Sequence, residues 1–119
     1  MKKKILIYDD DKEILLLCKA ILGKFDYTTE TLSRCDHVLN DIKSFQPHLI
    51  LMDLWIPEIG GEKAIETLKE NDTTKNIPVL IFSANVDIRE ICKKVNADGY
   101  VAKPFTISTF TETIKKYLG

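Results

Sequence analysis

Side chains suited to metal and phosphoryl chemistry follow four short apolar runs of this 119-residue chain. The residues in these positions are Asp9, Asp10 and Asp11 after the first run, Asp53 after the second, Ser83 after the third and Lys103 after the fourth. Clustered carboxylates repel one another unless a metal cation or a lysine compensates their charge. Carboxylate oxygens without neighbouring His or Cys ligands suit Mg²⁺, with Mn²⁺ as a substitute, and disfavour Zn²⁺. The set therefore indicates a site rather than four unrelated loop residues.

Five strands are predicted to position these side chains. Four of them are short apolar runs bounded by charged, Pro or Gly residues, at Ile5–Tyr8, Leu49–Met52, Val79–Phe82 and Tyr100–Ala102. Their apolar residues are continuous, which is typical of central parallel strands covered on both faces. The Thr-rich segment Tyr27–Leu32 alternates more and is predicted to be a strand nearer the edge.

Five segments between these strands have the apolar spacing of helices. The clearest stripe consists of Ile14, Leu17, Cys18, Ile21, Leu22 and Phe25. Asp11 is predicted to cap the first helix, and either Ser108 or Thr106 the last. Alternating strands and helices predict one three-layer α/β domain with a parallel sheet over residues 1–119, without an output domain in this chain. The carboxyl ends of parallel strands share one edge, so the polar side chains should meet there.

Composition limits the classes of partner and compartment. Seventeen basic against 18 acidic residues give a net charge of -1, so no basic excess favours nucleic acid. No apolar stretch is long enough to insert into a membrane, and the first run is too short for an export signal. Cys18, Cys35 and Cys92 are widely spaced and form no CxxC pair, which favours reduced thiols and a cytoplasmic location.

The motifs together resemble the receiver domains of two-component response regulators, and the resemblance covers essentially the whole chain. It rests on an acidic cluster after the first strand, an acceptor motif, a hydroxyl after the fourth strand, and a lysine after the fifth. The segments are Ile5–Asp11, Leu51–Pro57 through Gly61, Ile77–Ala84 and Asp98–Phe105. The resemblance implies a flavodoxin-like fold with strand order 2-1-3-4-5.

The resemblance also implies roles for individual residues. Asp53 would accept a phosphoryl group from a histidine kinase or a phosphotransfer protein. Asp10, Asp53 and the main-chain carbonyl of Trp55 would bind Mg²⁺, with Asp9 acting through water. Lys103 and Ser83 would contact phosphoryl oxygens, and Tyr100 matches the family's aromatic switch position. The Lys103–Pro104 peptide would be cis. The output partner stays undefined, and the protein would be a monomer or a phosphorylation-dependent dimer.

Two other functions fit part of the pattern. Asp9 and Asp11 after an apolar strand resemble the nucleophile and acid of haloacid-dehalogenase phosphohydrolases, but the later acidic motif and the cap insertion of those enzymes are not evident. A non-phosphorylated interaction domain would keep the fold without using the pocket. Trp55 is unusual two positions after the acceptor, and we hypothesise that it slows autodephosphorylation by flanking the route of water. A Trp that contacts a partner or packs the loop is an equal alternative.

Overall fold

The computed structural model describes residues 2–56 and 58–118. Strands and helices alternate along the chain as β1 Lys4–Tyr8, α1 Lys12–Gly23, β2 Thr28–Leu32, α2 Val38–Phe45, β3 Leu49–Met52, α3 Gly61–Glu70, β4 Val79–Ser83, α4 Ile88–Val95, β5 Gly99–Ala102 and α5 Ile107–Leu118. All strand pairs are parallel, and the sheet order is β2-β1-β3-β4-β5. The predicted fold class and strand order are confirmed, and the Thr-rich strand lies at an edge.

The apolar strands are buried because helices cover both faces of the sheet. Successive strand residues point to opposite faces, so Leu6 and Tyr8 pack with α2, α3 and α4, whereas Ile5 and Ile7 pack with α1 and α5. Every residue of β3 and β4 is buried. This two-sided burial explains why the strand sequences are continuously apolar.

The buried residues of α1 differ from the predicted apolar stripe at its edges. Leu15 is buried in α1, whereas Leu17 is 47% exposed and Phe25, which follows the end of α1, is 53% exposed. The Asp11 side chain accepts hydrogen bonds from the Glu13 and Ile14 amides, which confirms the predicted cap. At α5 the cap is Thr106, whose hydroxyl accepts a hydrogen bond from the Thr109 amide at 3.0 Å.

Helix α2, like α4, has only two buried side chains among its eight residues, and in α2 these are Val38 and Ile42. Two hydrogen bonds join α2 to β1. The Tyr8 hydroxyl donates to Asp41 Oδ2 at 2.8 Å, and the Lys4 ammonium donates to the main-chain carbonyl at the end of α2 at 3.1 Å. Among the residues that the structure describes, no helix is both long enough and apolar enough to cross a bilayer.

Candidate functional site

The carboxyl edge of the sheet brings the predicted site residues together. Asp9 and Asp53 follow β1 and β3, which are neighbours in the sheet, and the Asp53 amide donates to the Tyr8 carbonyl at 2.9 Å. Ser83 is the last residue of β4, and its carbonyl accepts from the Lys103 amide at 2.9 Å. Backbone hydrogen bonds between adjacent strands therefore hold the four polar strand ends in register.

Three carboxylates form the centre of the site. Oxygen atoms of Asp9, Asp10 and Asp53 all lie within 4.8 Å of one another. Asp9 and Asp53 are buried, with 0% and 3% of their surface exposed, whereas Asp10 faces solvent. Two buried carboxylates and one exposed carboxylate suit a hard cation that keeps part of its water shell.

Lys103 compensates part of this negative charge. Its Nζ lies 2.5 Å from Asp9 Oδ2 and 3.7 Å from Asp53 Oδ1, and its side chain is only 18% exposed. The ammonium also lies 4.6 Å from the centre of the Phe82 ring, a cation–π arrangement. The Lys103–Pro104 peptide is cis, as the family resemblance implied.

The electrostatic environment of the pocket disfavours ionisation of Asp53. Burial and the neighbouring Asp9 carboxylate raise the pKa of Asp53 from its usual 3.8 to about 6, with a smaller contribution from Asp10. The Lys103 ammonium and the Trp55 main-chain amide act in the opposite direction. The three carboxylates outnumber the single Lys103 ammonium, and a divalent cation would relieve the remaining repulsion.

The β3–α3 loop passes close to the acceptor carboxylate. Gly61 begins α3, and a Cβ atom at this position would overlap the Asp53 carbonyl oxygen. Gly60 has a φ of 83°, which favours glycine. The Trp55 side chain is 67% exposed at the edge of the loop. Pro57, which belongs to the predicted acceptor motif, lies outside the described residues.

The two predicted switch residues lie on neighbouring strands. The buried Ser83 hydroxyl accepts a hydrogen bond from the Asn85 amide at 3.1 Å. Tyr100 is half-buried, and Arg89 Nε on α4 donates to its hydroxyl at 3.4 Å. Tyr100 therefore contacts α4 in this structure.

Sequence reasoning missed two neighbours of the site. Phe82 lies under the Lys103 ammonium, and the Asn85 amide holds the Ser83 hydroxyl. Gly61 was included in the predicted acceptor motif, but the close approach of the loop to Asp53 that it allows is seen only in the structure.

Comparison with known proteins decides the family. The family model of the response regulator receiver domain matches residues 5–115. The chain belongs to this family. This receiver domain is 30% identical to the polar-differentiation response regulator DivK of Brucella anthropi. The match covers all of this chain and 98% of the relative. The corresponding protein of Brucella ovis is 29% identical with the same coverage.

Solved structures share the receiver fold over nearly their whole length. A CheY-like receiver domain protein from Methanospirillum hungatei has a TM-score of 0.88 at 26% identity, covering 99% of this chain and 94% of that chain. The receiver domain of the sensor histidine kinase PA1611 from Pseudomonas aeruginosa has a TM-score of 0.89 at 21% identity, covering 100% and 99%. That structure contains a magnesium ion coordinated in its active-site cleft.

Neither histidine of the chain joins the site. His48 Nδ1 accepts a hydrogen bond from the Lys4 amide at 3.0 Å, at the opposite end of the sheet. His37 precedes α2 without a side-chain capping bond. His37 is exposed and His48 is half-buried, and both lie away from the pocket.

Proposed function

We propose that this receiver domain is a phosphorylation switch in which Asp53 accepts a phosphoryl group from a histidine kinase or a histidine phosphotransfer protein. The observation that carries the proposal is the pairing of Asp53 with Lys103, at 3.7 Å, inside a cluster of three carboxylates. A carboxylate accepts a phosphoryl group when a metal and a cation balance the charge on the transferred oxygens.

The pocket fits Mg²⁺, for which Mn²⁺ is a substitute. Asp10, Asp53 and the main-chain carbonyl of Trp55 are the proposed direct ligands, and Asp9 is proposed to act through water. The carboxylate-only donor set and the exposure of Asp10 support this choice. When bound, the cation neutralises the pocket and orients the phosphoryl oxygens. The Pseudomonas aeruginosa receiver domain holds a magnesium ion in its active-site cleft, which supports the choice of metal.

Transfer to Asp53 requires an in-line displacement. One Asp53 carboxylate oxygen attacks phosphorus, and a new P–O bond forms as the P–N bond of the phosphohistidine breaks. The imidazole departs with the electron pair and takes a proton from solvent. Lys103 stabilises the equatorial oxygens through its ammonium, which lies close to both buried carboxylates. The receiver domain turns over no separate substrate in this scheme.

Phosphorylated Asp53 then changes the surface formed by α4, β5 and α5. Phosphorylation adds about 1.5 to 2 negative charges and strong acceptor oxygens. The Ser83 hydroxyl, now held by the Asn85 amide, turns to donate to one of those oxygens. Tyr100 then moves inward from its present contact with Arg89, and the population of partner-binding molecules rises.

The two alternative functions fit the site less well. In the phosphohydrolase scheme Asp11 would act as an acid, but Asp11 is exposed and its carboxylate caps α1. Asp9, the nucleophile of that scheme, forms its closest ion pair with Lys103. An interaction domain that is never phosphorylated would have no use for two buried carboxylates, whose burial costs stability.

The proposed setting is a cytoplasmic signalling pathway with a histidine kinase upstream and a protein partner downstream. The net charge of -1 argues against direct nucleic-acid binding. The protein is proposed to act as a monomer or as a dimer formed on phosphorylation.

Phosphate release from acetyl phosphate in the presence of Mg²⁺ discriminates between a switch and a hydrolase. A switch forms one equivalent of adduct and releases phosphate slowly, and Asp53→Asn abolishes both. Continuous turnover that persists in Asp53→Asn but is lost in Asp9→Asn would establish the hydrolase instead. Partner binding that is equal in the wild type, Asp53→Asn and Asp53→Ala would establish the interaction domain.

A further inference from the structure

The near-neutral net charge of the chain hides an uneven distribution. Residues 88–118 contain six basic and three acidic side chains, whereas residues 1–87 contain eleven basic and fifteen acidic ones. The segment from α4 to α5 is therefore positive and the rest of the domain is negative. An asymmetry of this kind indicates the sign of a partner surface rather than a feature of the fold.

Several charges of the positive segment are already paired. Lys103 lies in the phosphorylation pocket, and Lys94 Nζ lies 3.5 Å from Glu62 on α3. Asp98 pairs with Lys69 at 2.6 Å, and Glu112 accepts a hydrogen bond from Ser108 at 3.2 Å. Among the ion pairs of the described residues, the acidic Glu90 finds no partner, and neither do four basic side chains of this segment: Arg89, Lys93, Lys115 and Lys116.

Three of these four cations lie around β5. Arg89 contacts the Tyr100 hydroxyl, and Lys93 follows one turn later on α4. Lys116 Nζ lies 5.8 Å from the centre of the Tyr117 ring, whose hydroxyl donates to the Asp98 carbonyl just before β5. Lys115 instead lines a cleft with Phe25 and Tyr27 on the other side of α5. We define Arg89, Lys93 and Lys116 as the basic face.

We infer that the basic face binds an acidic protein segment, with Arg89 as an anchor that becomes available when Tyr100 turns inward. This inference rests on the proposed function, because it names the chemistry of the partner that the switch controls. A guanidinium presents a planar fork of donors that matches a carboxylate, which suits Arg89 to the anchor role. Complementary charge also speeds association and excludes partners of the wrong sign.

The contact between Arg89 and Tyr100 couples the basic face to the phosphorylation pocket. In this structure the Tyr100 hydroxyl accepts a hydrogen bond from Arg89 Nε. Inward movement of the ring toward Ser83 ends that contact and leaves the guanidinium free for a carboxylate of the partner. Affinity for an acidic segment should therefore rise on phosphorylation, and removing the Tyr100 hydroxyl should raise it in the unmodified protein.

A matched pair of helical peptides tests the inference. One peptide carries several glutamates on one face, and the other carries glutamine at the same positions. Affinity is measured by fluorescence anisotropy for the full chain before and after treatment with acetyl phosphate and Mg²⁺. Amide chemical shifts locate the binding surface. We expect the glutamate peptide to bind at least about tenfold more tightly than the glutamine peptide. It should shift amide signals of α4, β5 and α5, and its affinity should rise on phosphorylation.

Two charge reversals of equal size show whether the peptide binds at the basic face or responds only to the net charge of the protein. Arg89→Glu should weaken binding of the glutamate peptide by about tenfold or more, whereas Lys115→Glu on the other side of α5 should weaken it less than threefold or so. Tyr100→Phe should strengthen binding of the glutamate peptide to the unmodified protein a few-fold. The gain reflects the fraction of molecules in which the Tyr100 hydroxyl holds Arg89.

Several outcomes would overturn the inference. These are equal affinity for the two peptides, amide shifts confined to other surfaces, equal losses in Arg89→Glu and Lys115→Glu, tighter binding of a single-stranded oligonucleotide, and self-association that covers the basic face.

Measurement of the intact mass after treatment with acetyl phosphate keeps this test separate from the proposed function. If Asp53 forms an adduct and the peptides bind alike, only the partner assignment fails. If no adduct forms, the proposed function fails, and the peptide comparison on the unmodified protein still tests the charge of the partner.

Discussion

Asp53 is costly to ionise in the metal-free protein because burial and the Asp9 carboxylate raise its pKa to about 6. The folded state binds this proton more tightly than the unfolded state, for which the usual pKa is 3.8. Between these two values the folded protein holds more protons, so the contribution of Asp53 to stability falls as the pH rises through this window. Above pH 6 the penalty is fully present.

Asp53→Asn should therefore stabilise the Mg²⁺-free protein at pH 7, by roughly 1–3 kcal/mol, and much less below pH 4. Denaturant unfolding across this pH range measures the difference. Glu70→Gln, at an exposed position of α3, should change stability little at any pH. Mg²⁺ should reduce the advantage of Asp53→Asn, because the cation stabilises the ionised wild-type pocket. Equal stability of Asp53→Asn and the wild type at pH 7 would contradict this electrostatic description.

Trp55 lies beside the acceptor with two-thirds of its surface exposed. If its ring restricts the approach of water, Trp55→Ala and Trp55→Asn should shorten the half-life of phosphorylated Asp53 by a few-fold to about tenfold, or about 1 kcal/mol in the barrier. Decay of the adduct in Mg²⁺, followed by intact mass, measures this half-life. Ile59→Ala, at another exposed apolar position of the same loop, is the control. Unchanged decay in both Trp55 variants would remove the hypothesis and favour a role in partner contact or loop packing.

Among the elements, α2 is held to the sheet in part by the half-buried hydrogen bond from Tyr8 to Asp41. Burial and the Asp41 carboxylate raise the pKa of Tyr8 well above its usual range, so the hydroxyl stays protonated and donates. Tyr8→Phe would leave Asp41 without this donor and should cost about 1–3 kcal/mol of unfolding free energy. Hydrogen exchange should increase most in α2, where only two side chains are buried.

Asp41→Asn is the control for Tyr8→Phe, because an amide oxygen still accepts from the tyrosine hydroxyl. It should therefore cost less than Tyr8→Phe. A Tyr8→Phe variant that unfolds at the wild-type denaturant concentration, with unchanged exchange in α2, would show that packing alone holds the helix.

The start of α5 offers a direct comparison between two candidate caps. Thr106→Ala should lower the unfolding free energy by about 1 kcal/mol, because the Thr109 amide loses its acceptor. Ser108→Ala should change it by no more than about 0.5 kcal/mol, since Ser108 is exposed and its hydroxyl donates to the Glu112 side chain rather than capping an amide. Denaturant midpoints of the two variants measure the difference. Equal losses would mean that the capping bond contributes little to stability.

The ends of the strands were predictable from the sequence, whereas the edges of the buried helix faces were not. The strands were predicted to within one residue at every end because their apolar runs stop at charged or turn-forming residues. Leu17 and Phe25 were wrongly included in the buried stripe of α1. Apolar spacing alone does not distinguish the centre of a buried face from its edge, and only packing against the sheet decides it. Thr106 and Ser108 could not be separated because helix boundaries are uncertain by a residue or two.

At the scale of the whole molecule, the site follows from topology more than from any single residue. Strands β1, β3 and β4 are neighbours in the sheet, so residues distant in sequence end at the same edge. The pairing of Lys103 with Asp9, 94 positions apart, was implied only as a general compensation of charge. The contacts of Phe82, Asn85 and Arg89 carried no sequence signal, because each depends on the distance between elements that the motifs do not encode.

The proposed function depends on Asp53 as the residue that carries the phosphoryl group. Site-resolved mass spectrometry of the protein after treatment with acetyl phosphate and Mg²⁺ locates this group. We predict one phosphoryl group per chain, located on Asp53, lost in Asp53→Asn and strongly reduced without Mg²⁺. A phosphoryl group located on Asp9, or an unmodified Asp53 in a folded protein that binds Mg²⁺, would show that Asp53 is not the acceptor.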